Sequence, residues 1–251
     1  MNKLIFHIII LAILLSIPVA TNAQIGLHSD LNGDGVDNIS DVSYHISIIM
    51  GHTTDAAVNA SLCPNTLHPH VIDLGLPSGT KWTCCNIGAK DPLEYGDHYA
   101  WGEMLAKDFY SKDNYCYYDV DQSSCHNIGD DIAGTNYDVA TIRWGNKYSM
   151  PSNDQFQELV DNCTYSWTTI GGVNGALFTA SNGNKIFLPA AGNYMDKGFI
   201  LGVGSIGYYW ASNQSTDATT YAYEIDFDDD DAYPNSNWYR YSGLSIRPVS
   251  H

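Results

Sequence analysis

The sequence predicts an α+β fold in which short strands and long ordered loops surround one good helix, with an EF-hand-like loop-helix in front. Three observations predict it. The chain has 18 tyrosines, 6 tryptophans and 22 glycines but only 11 Lys plus Arg, a composition of short strands and turns more than of long helices. Residues 152–163 carry helical apolar periodicity behind a capping box. Residues 30–41 spell a calcium loop that a short helix should follow.

The chain opens with Met1-Asn2-Lys3, an apolar run from Leu4 to Ile17, and Thr21-Asn22-Ala23 before Gln24. A basic start, a short apolar stretch and a small-x-small end predict a secretory signal over residues 1–23, cleaved after Ala23. The run is shorter than the roughly 20 apolar residues of a bilayer span, so the mature chain is expected not to be membrane-embedded. It is expected to work outside the cytoplasm: secreted, at the cell surface or in the periplasm. Cleavage removes Lys3 and no other formal charge, leaving the mature chain one unit more negative than the −17 of the full sequence. A chain this acidic is repelled by phosphate backbones, which argues against nucleic acid as a partner.

In the calcium loop, Asp30, Asn32 and Asp34 offer side-chain oxygens and Gly35 permits the sharp turn. Val36 offers its carbonyl, Asn38 acts directly or through water, and Asp41 closes the shell. Calcium is therefore the expected cofactor. Ser40 is a good N-cap for the helix that follows, Val42, Ile46 and Ile49 form its apolar stripe, and Gly51 can end it. Loop and helix over 24–51 resemble one repeat of a type I dockerin, which implies a cohesin-like partner. A full dockerin has two repeats; this chain shows one, between Asp30 and Gly51.

Residues 52–70 read as a linker without clear periodicity, and residues 71–249 as one domain. Val71–Gly75, Thr80–Asn86, Ala176–Ala180, Lys185–Pro189, Tyr208–Ser212, Tyr221–Phe227 and Ser242–Val249 are strand candidates between Gly and Asn clusters. Residues 104–147 look like a long, irregular, tyrosine-rich insertion. The helix begins with Ser152 and Gln155 as its capping box, and Phe156, Leu159, Val160 and Cys163 share one face. Gly202-Val203-Gly204-Ser205-Ile206-Gly207 spells GxGxxG, but Tyr208-Tyr209-Trp210 after it is strand-like, so a glycine-rich turn is expected, not a dinucleotide site.

Six cysteines in an exported chain suggest disulfides. The expected pairs are Cys116–Cys125, closing a short loop, Cys85–Cys163, tying two core segments, and Cys63–Cys84, stapling the linker to the domain. No C-x-x-C spacing supports a zinc ribbon or a thioredoxin-type site.

The domain also carries a set of collinear motifs. Val71-Ile72-Asp73-Leu74-Gly75-Leu76-Pro77-Ser78-Gly79-Thr80-Lys81-Trp82 opens it. Cys85-Asn86-Ile87-Gly88-Ala89, Tyr95-Gly96-Asp97, Ala100-Trp101-Gly102-Glu103 and Met150-Pro151-Ser152 follow. Then come Ile186-Phe187-Leu188-Pro189-Ala190-Ala191-Gly192, Tyr209-Trp210-Ala211-Ser212 and the closing Gly243-Leu244-Ser245-Ile246-Arg247-Pro248-Val249. Together they resemble the Fibrobacter succinogenes major paralogous domain family, found in exported bacterial proteins. The resemblance implies a C-type-lectin-like fold with small twisted sheets and long loops. Met150-Pro151 with its helix, and the closing segment, also resemble parts of formylglycine-generating enzymes. Fold alone does not give function.

Among candidate sites, Glu94, Asp97 and Glu103 could supply a glycosidase acid–base pair, but that chemistry needs two carboxylates a fixed distance across a cleft, so surface or hydrogen-bonded carboxylates are expected instead. Asp226 with Asp228–Asp231 reads as a solvated acidic loop. No motif supplies nucleophile, base and oxyanion donor together. Trp144 and Trp238 lie in polar surroundings and are the best candidates for stacking on a ligand. The function this predicts is an exported, non-catalytic binding or adhesion protein of the bacterial cell envelope, recognising a glycan or protein ligand. The alternatives are an assembly component docking through the calcium repeat, an accessory to polysaccharide degradation, or an enzyme with a catalytic pair that the sequence does not display.

Overall fold

The computed structural model describes residues 70–121, 123–195 and 199–250. In chain order its elements are β1 (Val71–Asp73), β2 (Lys81–Thr83), α1 (Val139–Trp144), β3 (Tyr148–Ser149), α2 (Asn153–Asn162), β4 (Cys163–Ile170) and β5 (Val173–Ala180). There follow β6 (Lys185–Pro189), β7 (Asn193–Met195), β8 (Phe199–Leu201), β9 (Gly207–Gln214), β10 (Tyr221–Phe227), β11 (Ala232–Tyr239) and β12 (Val249–Ser250). They form four antiparallel sheets, ordered β1-β2-β12-β3, β4-β5-β6, β7-β8 and β11-β10-β9.

The sheet of β9, β10 and β11 is the spine of the described domain, because its alternating side chains feed two cores. Tyr209, Ala211, Ile225 and Phe227 join Trp82, Phe156, Leu159, Phe178 and Leu188 in one buried cluster. Trp210 and Ala222 join Tyr99, Trp101, Val139, Met150, Leu244 and Ile246 in the other. Two of the buried indoles are satisfied across the domain: Trp210 Nε1 donates to the Tyr99 carbonyl (2.7 Å) and Trp101 Nε1 to the Ala211 carbonyl (2.9 Å), whereas Trp82 Nε1 finds no partner among the described residues. At the start of β9 a Cβ on Gly207 would run into the Phe227 ring. Gly207→Ala is therefore expected to destabilise the domain by roughly 1–3 kcal/mol, the usual cost of overpacking a filled core. Chemical denaturation checks it, and an unchanged midpoint would show that the ring moves freely.

The helices follow local rules. Ser152 Oγ accepts from the Gln155 amide (3.2 Å) while Gln155 Oε1 accepts from the Ser152 amide (2.8 Å), the expected capping box. Phe156 and Leu159 are buried, and Val160 and Cys163 pack partly against the same cluster. Helix α1 lies inside the stretch expected to be irregular. Its N-cap, Asp138, is fully buried and accepts from the amides of Ala140 (2.9 Å), Thr141 (3.2 Å), Met150 (3.0 Å) and Gly134 (2.9 Å). A buried carboxylate held by backbone amides is a stable arrangement that also anchors the neighbouring loops.

The α+β class, with its C-type-lectin-like domain, is overturned. The regular structure of the described residues is mostly strand, in several small antiparallel sheets with two α-helices. The physical reason is that helical periodicity runs only through α2 and the short α1, whereas the segments between glycine turns alternate with the strand period. Strands β3, β4, β7, β8 and β11 and helix α1 lie where the sequence predicts no element. The EF-hand-like loop-helix over 24–51, the signal over 1–23 and the linker up to residue 69 lie outside the described residues.

Candidate binding site

The β9–β10 connection, together with Asp130, encloses an open cavity of about 390 Å³ lined by Asp130, Gln214, Ser215, Thr216, Ala218 and Thr219. Local hydrogen bonds build it. The Gln214 amide donates to the Asp130 carbonyl (2.8 Å), the Ser215 amide to the Tyr221 carbonyl (3.1 Å) and the Tyr221 amide to the Ala218 carbonyl (3.1 Å). The Asp217 amide donates to Ser215 Oγ (3.2 Å) and the Cys125 amide to Thr219 Oγ1 (3.3 Å). Hydroxyl-bearing residues hydrogen-bond their neighbouring backbone readily, which is why this run forms a defined turn.

Arg240, fully buried, holds the connection from inside. Its Nη1 donates to Gln214 Oε1 (3.2 Å), to the Thr219 carbonyl (2.9 Å) and to the His126 carbonyl (3.3 Å); its Nε donates to Tyr115 Oη (3.0 Å). The guanidinium lies 4.4 Å from the Trp101 ring centre, within cation–π range. Because Gln214 Oε1 is taken, the Gln214 amide group is left with its two N–H donors for other partners. Aromatic rings continue from the connection: Tyr221 pairs with Tyr239 (4.5 Å between centres), Tyr239 with Tyr241 (5.3 Å) and Tyr241 with Tyr118 (6.1 Å). Tyr223 Oη lies 2.9 Å from Thr216 Oγ1. The lining offers hydroxyls, an amide and one carboxylate, which suits hydrogen bonding to a polar ligand. It holds no nucleophile with a base beside it.

The sequence-predicted residues fall elsewhere. Trp144 ends α1, half-buried against Tyr148 (5.7 Å), and Trp238 sits on β11, half-buried against Tyr208 (5.5 Å). Both pack against the cluster of Trp101 and Trp210. Neither lines the cavity. Asp30, Asn32, Asp34, Val36, Asn38, Asp41 and Cys63 lie outside the described residues. Among the described residues no two of Cys84, Cys85, Cys116, Cys125 and Cys163 lie at disulfide distance, so neither Cys116–Cys125 nor Cys85–Cys163 is closed in the structure.

The carboxylates considered for catalysis are engaged structurally. Glu103 is buried, pairs with Lys107 Nζ (2.5 Å) and accepts from the Cys116 amide (2.9 Å); Asp97 accepts from Tyr99 Oη (3.0 Å), and Glu94 from the Lys90 amide (2.7 Å). Carboxylate oxygens of Asp228, Asp229 and Asp230 lie within 4.8 Å of one another at a turn. The glycines of 202–207 form the turn into β9, as expected, with the Ile206 amide donating to the Gly202 carbonyl (2.8 Å).

Glu224, on β10, is an anomaly of the spine sheet. It lies between Trp210 and Ser236, is fully buried, and neither of its carboxyl oxygens has a hydrogen-bond partner among the described residues. Burial, and then the nearby Asp226 carboxylate, push its pKa well above the ordinary carboxylate range, so that the carboxyl holds its proton.

Sequence reasoning passed over Asp130, Gln214–Thr219 and Arg240. The signal that was present is Asn213-Gln214-Ser215-Thr216-Asp217-Ala218-Thr219-Thr220, a dense run of amides and hydroxyls between two strands. No family model, no curated protein and no solved structure matches this chain.

Proposed function

We propose that this chain is an exported, non-catalytic binding protein and that its ligand is a neutral glycan taken at the β9–β10 connection. The observation that carries the reading is the cavity lining: Gln214, Ser215, Thr216 and Thr219 put amide and hydroxyl groups around one open space, beside the Tyr221–Tyr239 pair. Polyols are recognised by such hydrogen-bonding groups together with aromatic faces. Asp130 in the lining, and the formal charge of −17, favour a neutral over an anionic sugar. The engaged state of Glu94, Asp97 and Glu103 supports binding without turnover. Export rests on the signal over 1–23, and the calcium loop over 30–41 belongs to this reading as a separate module in front of the binding domain.

A glycan array followed by titration tests it. Wild-type protein is expected to retain a neutral polysaccharide, with Gln214→Ala binding at least about tenfold weaker, the value of roughly 1.4 kcal/mol for a lost pair of hydrogen bonds. No reducing ends should be released on long incubation. Binding that survives Gln214→Ala unchanged, or reproducible release of product, would contradict the reading.

A further inference from the structure

Cys84 and Cys85 are adjacent in sequence, and their sulfurs lie 3.7 Å apart. Neighbouring side chains on a regular strand point to opposite faces, so such an approach requires a break in the strand. The break is present: β2 ends at Thr83 and the chain bends at residues 84 and 85. The bend is held from several sides. Arg247 Nη1 donates to the carbonyls of Thr83 (3.1 Å) and Cys84 (3.1 Å), Thr83 Oγ1 donates to the Cys85 carbonyl (3.0 Å), and the Cys84 amide donates to the His70 carbonyl (3.0 Å). Arg247 is itself fully buried and anchored on Asn86 Oδ1 (2.8 Å) and the Phe187 carbonyl (2.9 Å). The fold thus holds the backbone in a bend that brings two consecutive thiols into contact. Cys163, the partner that the sequence suggested for Cys85, sits at the α2–β4 junction and packs partly against the first core cluster.

We propose that Cys84 and Cys85 close into a disulfide with each other, a modification site formed while the exported chain folds. The step is a thiol–disulfide exchange with a disulfide-carrying donor of the oxidising compartment. The Cys84 thiolate attacks one donor sulfur, the donor S–S bond breaks, and the first donor thiol leaves with a proton. The Cys85 thiolate then attacks the Cys84 sulfur of the mixed disulfide, forming the Cys84–Cys85 bond and releasing the second donor thiol. Two cysteine S–H bonds become one S–S bond, and the donor disulfide is reduced to two thiols. Both cysteines are buried in the folded domain, at 1% and 0% exposure, so the exchange belongs to the folding chain and the finished bond is shielded from reductants. Closing it needs the sulfurs to approach from 3.7 Å to about 2 Å; consecutive Cα atoms lie about 3.8 Å apart, closer than in most disulfides, so the peptide between the two cysteines must adjust within the bend as the eight-membered ring forms.

Mass mapping decides it on the full chain exported to an oxidising compartment, alkylated without reduction and digested with trypsin. Cleavage after Lys81 and Lys90 places both cysteines in one peptide, Trp82 to Lys90. The expected result is that this peptide is found unalkylated and lighter by two hydrogens, taking up alkylating agent at both sulfurs only after reduction. Cys163→Ser should leave that result unchanged. A Trp82–Lys90 peptide alkylated at both positions, or linked to a peptide carrying Cys63, Cys116, Cys125 or Cys163, overturns the proposal.

Discussion

Replacing Arg240 with alanine is expected to cost about 2–5 kcal/mol of stability, from the buried acceptors it leaves unpaired and the void it opens. The side chain is fully buried and gives hydrogen bonds to four neutral acceptors: Tyr115 Oη, the His126 carbonyl, Gln214 Oε1 and the Thr219 carbonyl. Alanine leaves these acceptors without their donor, and each buried orphan costs roughly 1–3 kcal/mol. It also opens a void against Trp101, whose ring lies 4.4 Å from the guanidinium. Because two of the acceptors belong to the cavity lining, the loss should extend to function. Denaturant unfolding monitored by tryptophan fluorescence measures the first effect. Arg240→Lys separates the two: it keeps the charge but not the fork of donors, and should retain part of the stability while releasing Gln214. An Arg240→Ala protein of wild-type stability would mean that the guanidinium is not what organises the connection.

The second large effect is on pH dependence. Glu224 has its pKa raised well above the ordinary value of 4.5, by burial first and then by Asp226. Below that ordinary value the folded and unfolded chains both carry the proton, and the group contributes no difference. As pH rises above it, the unfolded chain gives up the proton while the folded chain keeps it, so stability falls until the folded-state value is passed. The slope that one such group adds is about 1.4 kcal/mol per pH unit. Glu224→Gln keeps the shape and removes the titration. It is expected to match wild type near pH 4 and to be the more stable protein at pH 7 to 8. Thermal melts across that range check it; parallel curves for the two proteins would show that Glu224 ionises in the folded state as it does in the unfolded one.

Much of the scaffold was legible in the sequence. Helix α2 is readable because Ser152 and Gln155 cap it and Phe156 and Leu159 recur at helical spacing. Strands β6 and β10 match their expected bounds because turn residues flank runs of β-formers. Strand β4 escaped because its Ser, Thr, Tyr and Trp residues are mostly half-exposed and give no apolar alternation. Strand β11 escaped because Pro234, Asn235 and Asn237 read as a loop; it is an edge strand, where a proline costs no ladder bond. The reverse error occurred at 242–249, where Leu244 and Ser245 make single bridges to Tyr99 and Tyr209 and only Val249–Ser250 forms a strand.

The candidate site was less legible, because its order comes from far along the chain. Gln214 and Thr219 become a defined wall only when Arg240 arrives on the other side of β10 and β11, and no local pattern announces that meeting. Trp144 and Trp238 stood out because their sequence neighbours are polar. Around Trp144 those neighbours are exposed, around Trp238 they are half-buried, and in both places the indole packs partly inward against the core.

The central claim is that residues 214–219 and Asp130 form the ligand surface. Its most direct test is a titration of isotope-labelled protein with the polysaccharide retained on the array, followed by amide and side-chain NMR. Perturbed signals are expected to concentrate at Gln214, Ser215, Thr216, Thr219 and Asp130, with the Arg240 Nε signal shifting as Gln214 is engaged. Perturbations centred on Trp144 and Trp238, with the 214–219 signals unmoved, would contradict it.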